Sequence, residues 1–325
     1  MLACHVPRQT PKLRIRCPFH MAKHGKLQTT IEYVAARVIL AVLSRLPLSF
    51  SMALGRGIGR LAYVVAGHLR RTGQRNLELA FPEKTVEERE ALLVGCFRSL
   101  GRELGIFSKF LTGSPSLLRS NFDVNGLENL EKAKAEGRGV ILFTGHLGAW
   151  ELTSFGLSLV GHPLSFLVRR LDNPRVEELV DRGRRRFGNK TIGKLAAARG
   201  MVKILRSGEA LGLLIDLNTL DEEAIFVDFF GVPASTNFMV AKLALRNQTP
   251  IVPIFAPWNE EKKKFTLLLS PALQPSPTGD EEADIHQLTS QLSLVMENTI
   301  RRFPDQWLWI HRRWKTRPPG EPGIY

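Results

Sequence analysis

Short apolar runs along the chain alternate with longer runs in which apolar residues recur with helical periodicity. Runs with the length of buried strands lie at 139–144, 164–168, 211–216, 251–256 and 265–270. Runs with the texture of helices lie at 149–160, 174–187, 196–207, 237–247 and 284–302. Short strands that alternate with longer helices predict an α/β fold, in which helices flank a largely parallel sheet.

The chain before this alternating region is helical in texture and strongly apolar near its start. Between Ile31 and Gly67 four arginines interrupt the apolar residues, and the longest uncharged stretch near the start runs only from Val38 to Ser44. A membrane-spanning helix needs about 18 or more apolar residues in succession. The pattern therefore favours a helix in the membrane interface, with arginines reaching lipid phosphates, over a full span. The alternative is the buried first helix of a soluble domain.

Three segments are predicted from these textures. Residues 1–28 carry six Lys/Arg and no acid, lack the apolar centre of a secretory signal, and are predicted to be a basic, flexible tail. Residues 29–112 are predicted to be a helical, membrane-associated segment, in which Thr85 and Glu88 have the spacing of a helix capping box. Residues 113–325 are predicted to be the α/β domain that carries the chemistry.

The charge balance points to an anionic partner. The chain has 45 basic and 31 acidic residues, a net charge of +14, which suits nucleic acid, an anionic membrane surface or an acidic small substrate. The cations are not interleaved with aromatic residues along a strand, and no nucleic-acid-binding motif is found, so we expect no nucleic-acid partner. The three cysteines include no CxxC pair, which predicts reduced thiols and neither a disulfide framework nor a zinc site.

The most distinctive polar residues lie in GVILFTGHLGAWE (139–151), where a predicted strand ends shortly before His146 and Glu151 follows five positions later. On one continuous helix the two side chains would lie about 140° apart. The spacing makes sense if His146 lies in the turn before the helix and Glu151 in its first turn, because the carboxylate can then reach back to the imidazole. Reactive groups in open α/β sheets gather beyond the carboxyl ends of the strands. A histidine oriented by a carboxylate is a general base for a hydroxyl proton.

The neighbourhood of His146 narrows the chemistry. No serine or cysteine nucleophile adjoins it, which favours direct transfer to a bound alcohol over a covalent intermediate. Neither an HExxH motif nor a His/Cys cluster is present, so we expect no metal and no other cofactor. By itself the pair could also be structural, because a lone histidine with a glutamate nearby is common in protein cores.

Several stretches resemble a known family. The H-x-x-x-x-E (HX4E) arrangement after a strand is similar to the signature of glycerolipid and lipid A acyltransferases. Four further stretches resemble the lipid A late acyltransferases (lauroyl/myristoyl acyltransferases), within the lysophospholipid acyltransferase-like superfamily. They are NLELAFPE (76–83), VRRLDNPRVEELVDRGRRRFGNK (168–190), FVDFFGVPASTNFMVAKLALRNQTPIVPIF (226–255) and WLWIHRRWKTRPPG (307–320). The resemblance covers roughly residues 31–325 and implies a glycerolipid-acyltransferase-like, mixed and largely parallel sheet.

The resemblance also implies an activity. It implies an acyltransferase (EC 2.3.1) on the cytoplasmic face of a bacterial inner membrane, which moves a fatty acyl chain from acyl carrier protein to a hydroxyl of a sugar-headed lipid, a lipid A precursor. Enzymes that acylate phosphatidylinositol mannosides belong to the same superfamily, so these or another glycolipid are the alternative acceptor. A non-catalytic membrane lipid-binding protein is the alternative of a different class, and it leaves His146 and Glu151 without a role.

Four residues carry the catalytic part of the resemblance. His146 is implied as the general base and Glu151 as its orienting partner. Arg184 is implied as the family's arginine in the GRRR stretch, and Asp216 as its aspartate at the end of a later strand. A fixed guanidinium or backbone N–H donors at the helix start could stabilise the negative charge on the carbonyl oxygen, and Asp216 is well placed to hold that guanidinium.

Other interpretations of these residues stay open in the sequence. Asp216 could cap the next helix. Arg182 and Arg186 are alternatives to Arg184, and the GRRR run could also be a solvated helix face or a docking site for acyl carrier protein. The chain departs from the family pattern at Asn218. This residue is expected at the rim of the site, so the departure bears on which acceptor is bound. Arg170 is expected to face the same cleft as a second-tier substrate contact.

The carboxyl-terminal HRRWKTRP (311–318) is rich in cations and indoles. Arg312 and Arg313 are predicted to contact lipid phosphates. Trp307, Trp309 and Trp314 would suit a membrane interface, and the equal alternative is a closing segment that packs for stability. The stretch FFGVPA (229–234) is expected to turn into a helix that lines the acyl site, with its aromatic residues either in the core or against the acyl chain.

Overall fold

The computed structural model describes residues 25–168, 171–193, 197–220 and 224–325. Its helices are α1 Lys26–Arg45, α2 Leu48–Val65, α3 Gly67–Ala80, α4 Val86–Thr112, α5 Pro115–Arg119, α6 Leu127–Ala135, α7 Trp150–Leu159, α8 Pro174–Arg184, α9 Ala197–Arg206, α10 Met239–Asn247 and α11 Glu281–Arg302. Its strands are β1 Phe122–Asn125, β2 Val140–Thr144, β3 Ser165–Val168, β4 Lys190–Gly193, β5 Ala210–Leu214, β6 Ala224–Phe229, β7 Val232–Asn237, β8 Ile251–Phe255, β9 Trp258–Asn259 and β10 Lys264–Leu269.

The predicted mixed, largely parallel sheet is confirmed. Its strands follow the order β1-β10-β8-β2-β5-β3-β4, with β9 paired to β10. β8, β2, β5, β3 and β4 run parallel to one another, whereas β10 runs antiparallel to β8 and β1 runs parallel to β10. All five predicted strands and all five predicted helices of the α/β region are present. Every residue of the central strands β2 and β8 is buried, as expected for parallel strands with helices on both faces.

The pleat of β2 distributes its side chains between two cores. Ile141 and Phe143 pack into the core that includes α3, α9, α10 and α11, while Val140 and Leu142 pack into the core that includes α5, α6 and α7. Helix α4 contributes to both cores. It begins with the predicted capping box, because Thr85 Oγ1 accepts a hydrogen bond from the Glu88 N–H at 3.2 Å and a Glu88 carboxylate oxygen accepts one from the Thr85 N–H at 2.7 Å.

The stretch FFGVPA forms the turn of a β-hairpin, so the prediction that it turns into a helix is wrong. β6 and β7 pair antiparallel across Phe230 and Gly231, which have φ values of +55° and +73°. Two successive residues of positive φ match the right-handed twist of the strands they join. Phe229 and Phe230 are both buried in the core, and the next helix, α10, begins only at Met239.

Helices α2 and α4 cross with their backbones in contact. A Cβ on Gly55 would lie 2.0 Å from the carbonyl oxygen of Gly101, and a Cβ on Gly101 would lie 2.0 Å from that of Gly55. Gly59 and Gly105 make similarly close approaches one turn away. The four glycines form two small-xxx-small pairs, so any side chain at Gly55 or Gly101 would force the helices apart.

Helices α1 and α2 leave an apolar face without protein cover among the described residues. The helix segment Leu27–Arg45 is long and apolar enough to cross a membrane, and 11% of its most apolar window is buried. Large apolar side chains are exposed along both helices: Leu27, Ile31, Val34, Val38, Ile39, Val42, Phe50, Leu54, Leu61, Val64 and Val65. The buried Lys109 of α4 fixes the junction of the two helices, because its ammonium donates to the carbonyl oxygens of Ser44 and Leu46.

Candidate active site

His146 lies in the turn between β2 and α7, as the spacing predicts. Two glycines make this turn possible. A Cβ on Gly145 would lie 2.9 Å from the Asp216 carboxyl carbon and 2.2 Å from Met296 Cε. Gly148 has a φ of +62°, and a Cβ there would lie 2.2 Å from the carbonyl oxygen of Ala256. The turn therefore brings His146 against Asp216, and neither position 145 nor position 148 has room for a side chain.

Asp216 is the hydrogen-bond partner of His146. Its carboxylate accepts from the imidazole Nδ1–H at 2.8 Å, from the backbone N–H of His146 at 2.7 Å and from the indole N–H of Trp307 at 2.8 Å. The prediction that Glu151 orients the histidine is wrong, and so is the alternative that Asp216 caps a helix. The physical reason is the sheet order: β2 and β5 are adjacent and parallel, so their carboxyl ends bring His146 and Asp216 together.

The two groups shift each other's pKa. Burial alone would lower the pKa of His146, but the charge and the hydrogen bond of Asp216, together with the charge of Glu151, outweigh it and raise that pKa. Burial alone would raise the pKa of Asp216, but the charge and the hydrogen bonds of His146 outweigh it and hold that pKa below its usual value. The carboxylate therefore remains ionised and fixes the imidazole proton on Nδ1, which leaves a lone pair on Nε2.

Glu151 pairs with Arg184 and not with the histidine. The Arg184 Nε–H donates to one carboxylate oxygen of Glu151 at 3.1 Å, and its Nη2 donates to the other. The side chains are 14% and 16% exposed. The prediction that Asp216 holds this arginine is wrong, because the last turn of α8 lies against the start of α7. Nη1 of Arg184 is buried and has no hydrogen-bond partner among the described residues, so the fork keeps one free donor.

The two alternative arginines are used elsewhere. Arg182 is exposed and pairs with Glu178 one turn earlier on α8. Arg186 donates to the backbone carbonyl of Phe110 at 2.9 Å. Arg184 is therefore the arginine of this run that reaches the H-x-x-x-x-E glutamate. Arg170, the predicted second-tier contact, lies outside the described residues.

Glu103 of α4 lies beside Glu151 and Arg184 and is a site residue that sequence reasoning missed. Its side chain is buried, and one carboxyl oxygen accepts the backbone N–H of Glu151 at 3.3 Å. Burial and the neighbouring charge of Glu151 raise the pKa of Glu103 well above its usual value, which favours the protonated carboxyl. Because α7 has no side-chain cap of its own, Glu103 acts as its cap from another helix. The only sequence signal available is an acid in the apolar middle of an amphipathic helix.

The carboxyl-terminal segment encloses the histidine turn from the other side. The carbonyl of Gln306 accepts the Gly148 N–H at 2.9 Å, and the Leu308 N–H donates to the carbonyl of His146 at 3.0 Å. His311 accepts the backbone N–H of Asn218 at 3.1 Å through Nε2. Burial lowers the pKa of His311 to about 4, so this imidazole is neutral at physiological pH. Asn218, which departs from the family pattern, therefore anchors the loop after Asp216 to this segment.

The indoles and one arginine of this segment are buried, so the packed alternative for the segment is the correct one. Trp307, Trp309 and Trp314 have no exposed surface. Arg313 is 1% exposed, and its guanidinium donates to the Ser235 carbonyl at 2.6 Å and to the Thr236 hydroxyl at 2.5 Å. The predicted lipid contact of Arg313 is therefore wrong, since its donors hold the β6–β7 hairpin.

Arg312 differs from its neighbour Arg313. It is exposed, with its guanidinium 5.8 Å from the centre of the Tyr325 ring. The predicted substrate contact of Arg312 stays a prediction.

The arrangement can carry out proton transfer and stabilise an anion. An oriented histidine with a free Nε2, a carboxylate that stabilises its charged form, and a fixed guanidinium with a free N–H lie at one edge of the sheet. Among the described residues, no three His, Cys, Asp or Glu side chains are grouped closely enough to bind a metal ion.

Comparisons with known proteins match most of the chain to acyltransferases. The model of a family described as bacterial lipid A biosynthesis acyltransferase matches residues 21–316. The chain is 31% identical to a lipid A biosynthesis palmitoleoyltransferase of Escherichia coli K12 over 88% of this chain and 92% of that one. It is 29% identical to a lipid A biosynthesis lauroyltransferase of the same organism over the same shares. A solved 1-acyl-sn-glycerophosphate acyltransferase from Thermotoga maritima aligns with 86% of this chain and 99% of that one, at 16% identity and a TM-score of 0.39.

Proposed function

The chain belongs to the bacterial lipid A biosynthesis acyltransferase family, and from that premise we propose that it moves a fatty acyl chain from acyl carrier protein to a hydroxyl of a sugar-headed lipid A precursor. It is an acyltransferase that transfers groups other than amino-acyl groups (EC 2.3.1), since its relatives are lipid A acyltransferases. The donor, the acceptor hydroxyl and the mechanism belong to the proposal.

The observation that carries the mechanism is the hydrogen bond between His146 Nδ1 and Asp216. It leaves Nε2 of His146 as the acceptor for the proton of the acceptor hydroxyl. The hydroxyl oxygen attacks the thioester carbonyl carbon, and the proton moves to Nε2. As the tetrahedral intermediate collapses, the C–S bond breaks and the proton passes from His146 to the leaving sulfur. Asp216 stabilises the imidazolium between these steps and does not itself take the proton.

Arg184 has a separate part in this mechanism. Negative charge develops on the carbonyl oxygen as the hydroxyl attacks, and a donor aimed at that oxygen is worth about 3–4 kcal/mol where measured. The free Nη1 donor of Arg184 suits this task, because Glu151 holds the rest of the guanidinium. We therefore assign Glu151 to positioning Arg184. Its charge also contributes to the raised pKa of His146.

The apolar face of α1 and α2 supports membrane association. Its exposed side chains suit a lipid surface, and basic residues adjoin it, which favours an anionic leaflet. The proposed location is the cytoplasmic face of a bacterial inner membrane, with residues 29–112 as the membrane-associated segment and residues 113–325 as the catalytic domain.

The test is transfer in vitro, followed by mass spectrometry of the acceptor lipid. With an acylated acyl carrier protein and a lipid A precursor, the wild-type protein should add one acyl group. His146→Ala should reduce the rate by a factor of about 10²–10⁴. His162→Ala is a matched control, because His162 is partly buried near the exposed Glu131 and outside the site. Full activity of His146→Ala would exclude the general-base assignment, and transfer only to another glycolipid would correct the acceptor.

A further inference from the structure

Arg102 of α4 is a buried cation without a hydrogen-bond acceptor among the described residues. The residue is 7% exposed, and its guanidinium lies 4.6 Å from the centre of the Trp258 ring. The nearest carboxylate oxygen, on Glu260, is 3.8 Å away and belongs to a side chain that is 65% exposed. Glu260 already accepts hydrogen bonds from the Trp258 indole and from Lys263. A guanidinium has five N–H donors, and burying it without acceptors is costly.

Two more arginines lie beside Arg102. Arg98 precedes it by one helical turn on the same face of α4. Arg56 of α2 lies across the glycine crossing, where its Cα is 3.1 Å from the position of a Cβ on Gly101. Neither side chain has an ion pair within hydrogen-bonding distance in the part of the chain that the structure describes.

The charges around the three arginines do not balance. Burial lowers the pKa of Arg102 to about 10, and the charges of Arg56 and Arg98 act in the same direction. Two acids oppose them. Glu260 is already bonded to Lys263, and burial raises the pKa of Asp305. The three arginines, called here the α2–α4 arginine cluster, therefore carry more positive charge than their surroundings neutralise.

The cluster lies at the same edge of the sheet as His146. Trp258 follows the carboxyl end of β8, which is the neighbour of β2. Gln306 connects the two places: its side chain accepts the Trp258 N–H at 2.7 Å and donates to the Trp258 carbonyl at 3.1 Å, while its backbone carbonyl accepts the Gly148 N–H. A molecule that reaches from His146 over this edge would meet Arg102.

A cavity of about 290 Å³ adjoins the cluster on the side of α2. Met52, one turn before Arg56 on α2, and Trp258 both line it. Leu48 and Phe265 contribute apolar surface to the same cavity, and Ser49, Asn121 and Lys263 contribute polar atoms. The Trp258 ring, which lies 4.6 Å from the Arg102 guanidinium, separates the cavity from that cation.

We propose that the α2–α4 arginine cluster binds a phosphoryl group of the acceptor glycolipid. Guanidinium forks match phosphate oxygens in pairs, and a phosphoryl group would supply the acceptors that Arg102 lacks. The cavity beside the Trp258 ring has apolar walls from Leu48, Met52 and Phe265, which favours a lipid over a carrier protein as the source of the phosphate. This inference rests on the proposed acyl transfer and names how its acceptor is held.

The test compares two double variants on two acceptors. Arg56→Gln/Arg98→Gln removes the two outer cations of the cluster and leaves the buried Arg102. The matched control, Arg206→Gln/Arg246→Gln, removes two arginines that line a cavity at the opposite end of the sheet. The acceptors are a phosphorylated lipid A precursor and the same lipid after phosphatase treatment.

With the phosphorylated acceptor, the cluster variant should raise the acceptor KM by about tenfold or more, since charge-assisted hydrogen bonds are lost. With the dephosphorylated acceptor it should behave as wild type, and the control variant should match wild type with both. An unchanged acceptor KM with the phosphorylated lipid overturns the inference. A rise only in the KM for acyl carrier protein also overturns it, and assigns the cluster to the phosphopantetheine of the donor.

Failure of the proposed function gives a different result. If wild type acylates neither lipid, the acyl transfer itself is wrong. Binding to phosphatidylcholine vesicles that contain the phosphorylated or the dephosphorylated lipid then tests the cluster alone. Stronger binding to the phosphorylated lipid, lost in the cluster variant and kept in the control, supports the inference, and equal binding overturns it.

Discussion

Two separate sets of hydrogen-bonded charged residues lie on either side of the start of α7. On one side, His146 and Asp216 form a pair of one base and one acid, and each stabilises the charged form of the other. On the other side, Glu151, Arg184 and Glu103 form a cluster of two acids and one cation, in which burial raises the pKa of Glu103. In the proposed mechanism the first group changes its protonation during the reaction. The second is built to hold a fixed charge in place.

The H-x-x-x-x-E spacing places two residues with different tasks close together in the chain. The histidine and the glutamate of the motif are five residues apart, yet they belong to different hydrogen-bond networks. Both carboxylate oxygens of Glu151 accept hydrogen bonds from Arg184, and Glu151 acts on His146 through its charge and not through a hydrogen bond. The two residues of the motif therefore belong to separate networks and do not form a hydrogen-bonded pair with each other.

The largest effect is expected from Asp216→Asn. The amide keeps the shape of the side chain but can present its N–H₂ to His146, which favours the wrong imidazole tautomer. We expect kcat/KM to fall about a thousandfold with little change in Tm. Steady-state kinetics and thermal unfolding measure both. Asp228→Asn, at an exposed position of β6, is the control. A fall in kcat/KM of less than tenfold in Asp216→Asn would mean that the His146–Asp216 pair does not set the tautomer.

Glu151→Gln should have the next largest effect and a different signature. It leaves Arg184 partly buried without its counter-charge, and removing one partner of a buried ion pair costs about 3 kcal/mol or more of unfolding free energy. We expect that loss of stability together with a fall in activity of about a hundredfold. Denaturant unfolding gives the first quantity. Glu178→Gln breaks the exposed pair with Arg182 on α8 and should cost less than about 0.5 kcal/mol. If Glu151→Gln behaves like this control, the second network is not structural.

The pH dependence of the wild type should report on His146, whose pKa is raised mainly by Asp216 and further by the charge of Glu151. His146 must be neutral to accept a proton, and its pKa is raised above the ordinary value of 6.5. Activity should therefore fall about tenfold per pH unit as the pH drops below this raised pKa. Asp216→Asn removes the charge that raises the pKa, so its acid limb should move to lower pH. A pH profile of kcat/KM gives both midpoints, and an unmoved limb would assign the titration to another group.

The smallest effect is expected from Glu103→Gln. A neutral carboxyl and an amide both offer a carbonyl oxygen to the Glu151 N–H, so activity should stay within about twofold of wild type. Glu103→Leu removes that oxygen and should cost about 1 kcal/mol of stability, as the loss of a helix cap does. Kinetics and denaturant unfolding of both variants check the comparison. Equal losses in the two would show that Glu103 is ionised in the folded protein.

The architecture was largely predictable from local patterns. The five buried strands have continuous apolar runs, and the turn around His146 is marked by its glycines. β4 was not predicted, because it is a short edge strand whose residues are exposed or half-buried. The β6–β7 hairpin was misread for another reason. Its turn residues, Phe230 and Gly231, lie inside a stretch whose apolar content also suits the approach to a helix.

Which residues form the site was easier to predict than which of them bond to one another. His146, Glu151, Arg184 and Asp216 could each be found from a strand end or a motif, but their pairing depends on strand order. Which strand lies beside β2 is set by long-range packing that no local pattern contains. Arg313 and the indoles show the same limit, since cations and tryptophans suit a membrane surface as well as a buried closing segment.

The glycine crossing of α2 and α4 has a geometric consequence. Gly55 and Gly101 allow the helices to touch at the backbone, which leaves no slack between the apolar face of α2 and the helix that carries Glu103. Because the two backbones touch, a shift of α2 also shifts α4, and with it the Glu103 carboxyl that accepts the Glu151 N–H at the start of α7. Through this contact the apolar face of α2 is mechanically linked to the helix that follows His146.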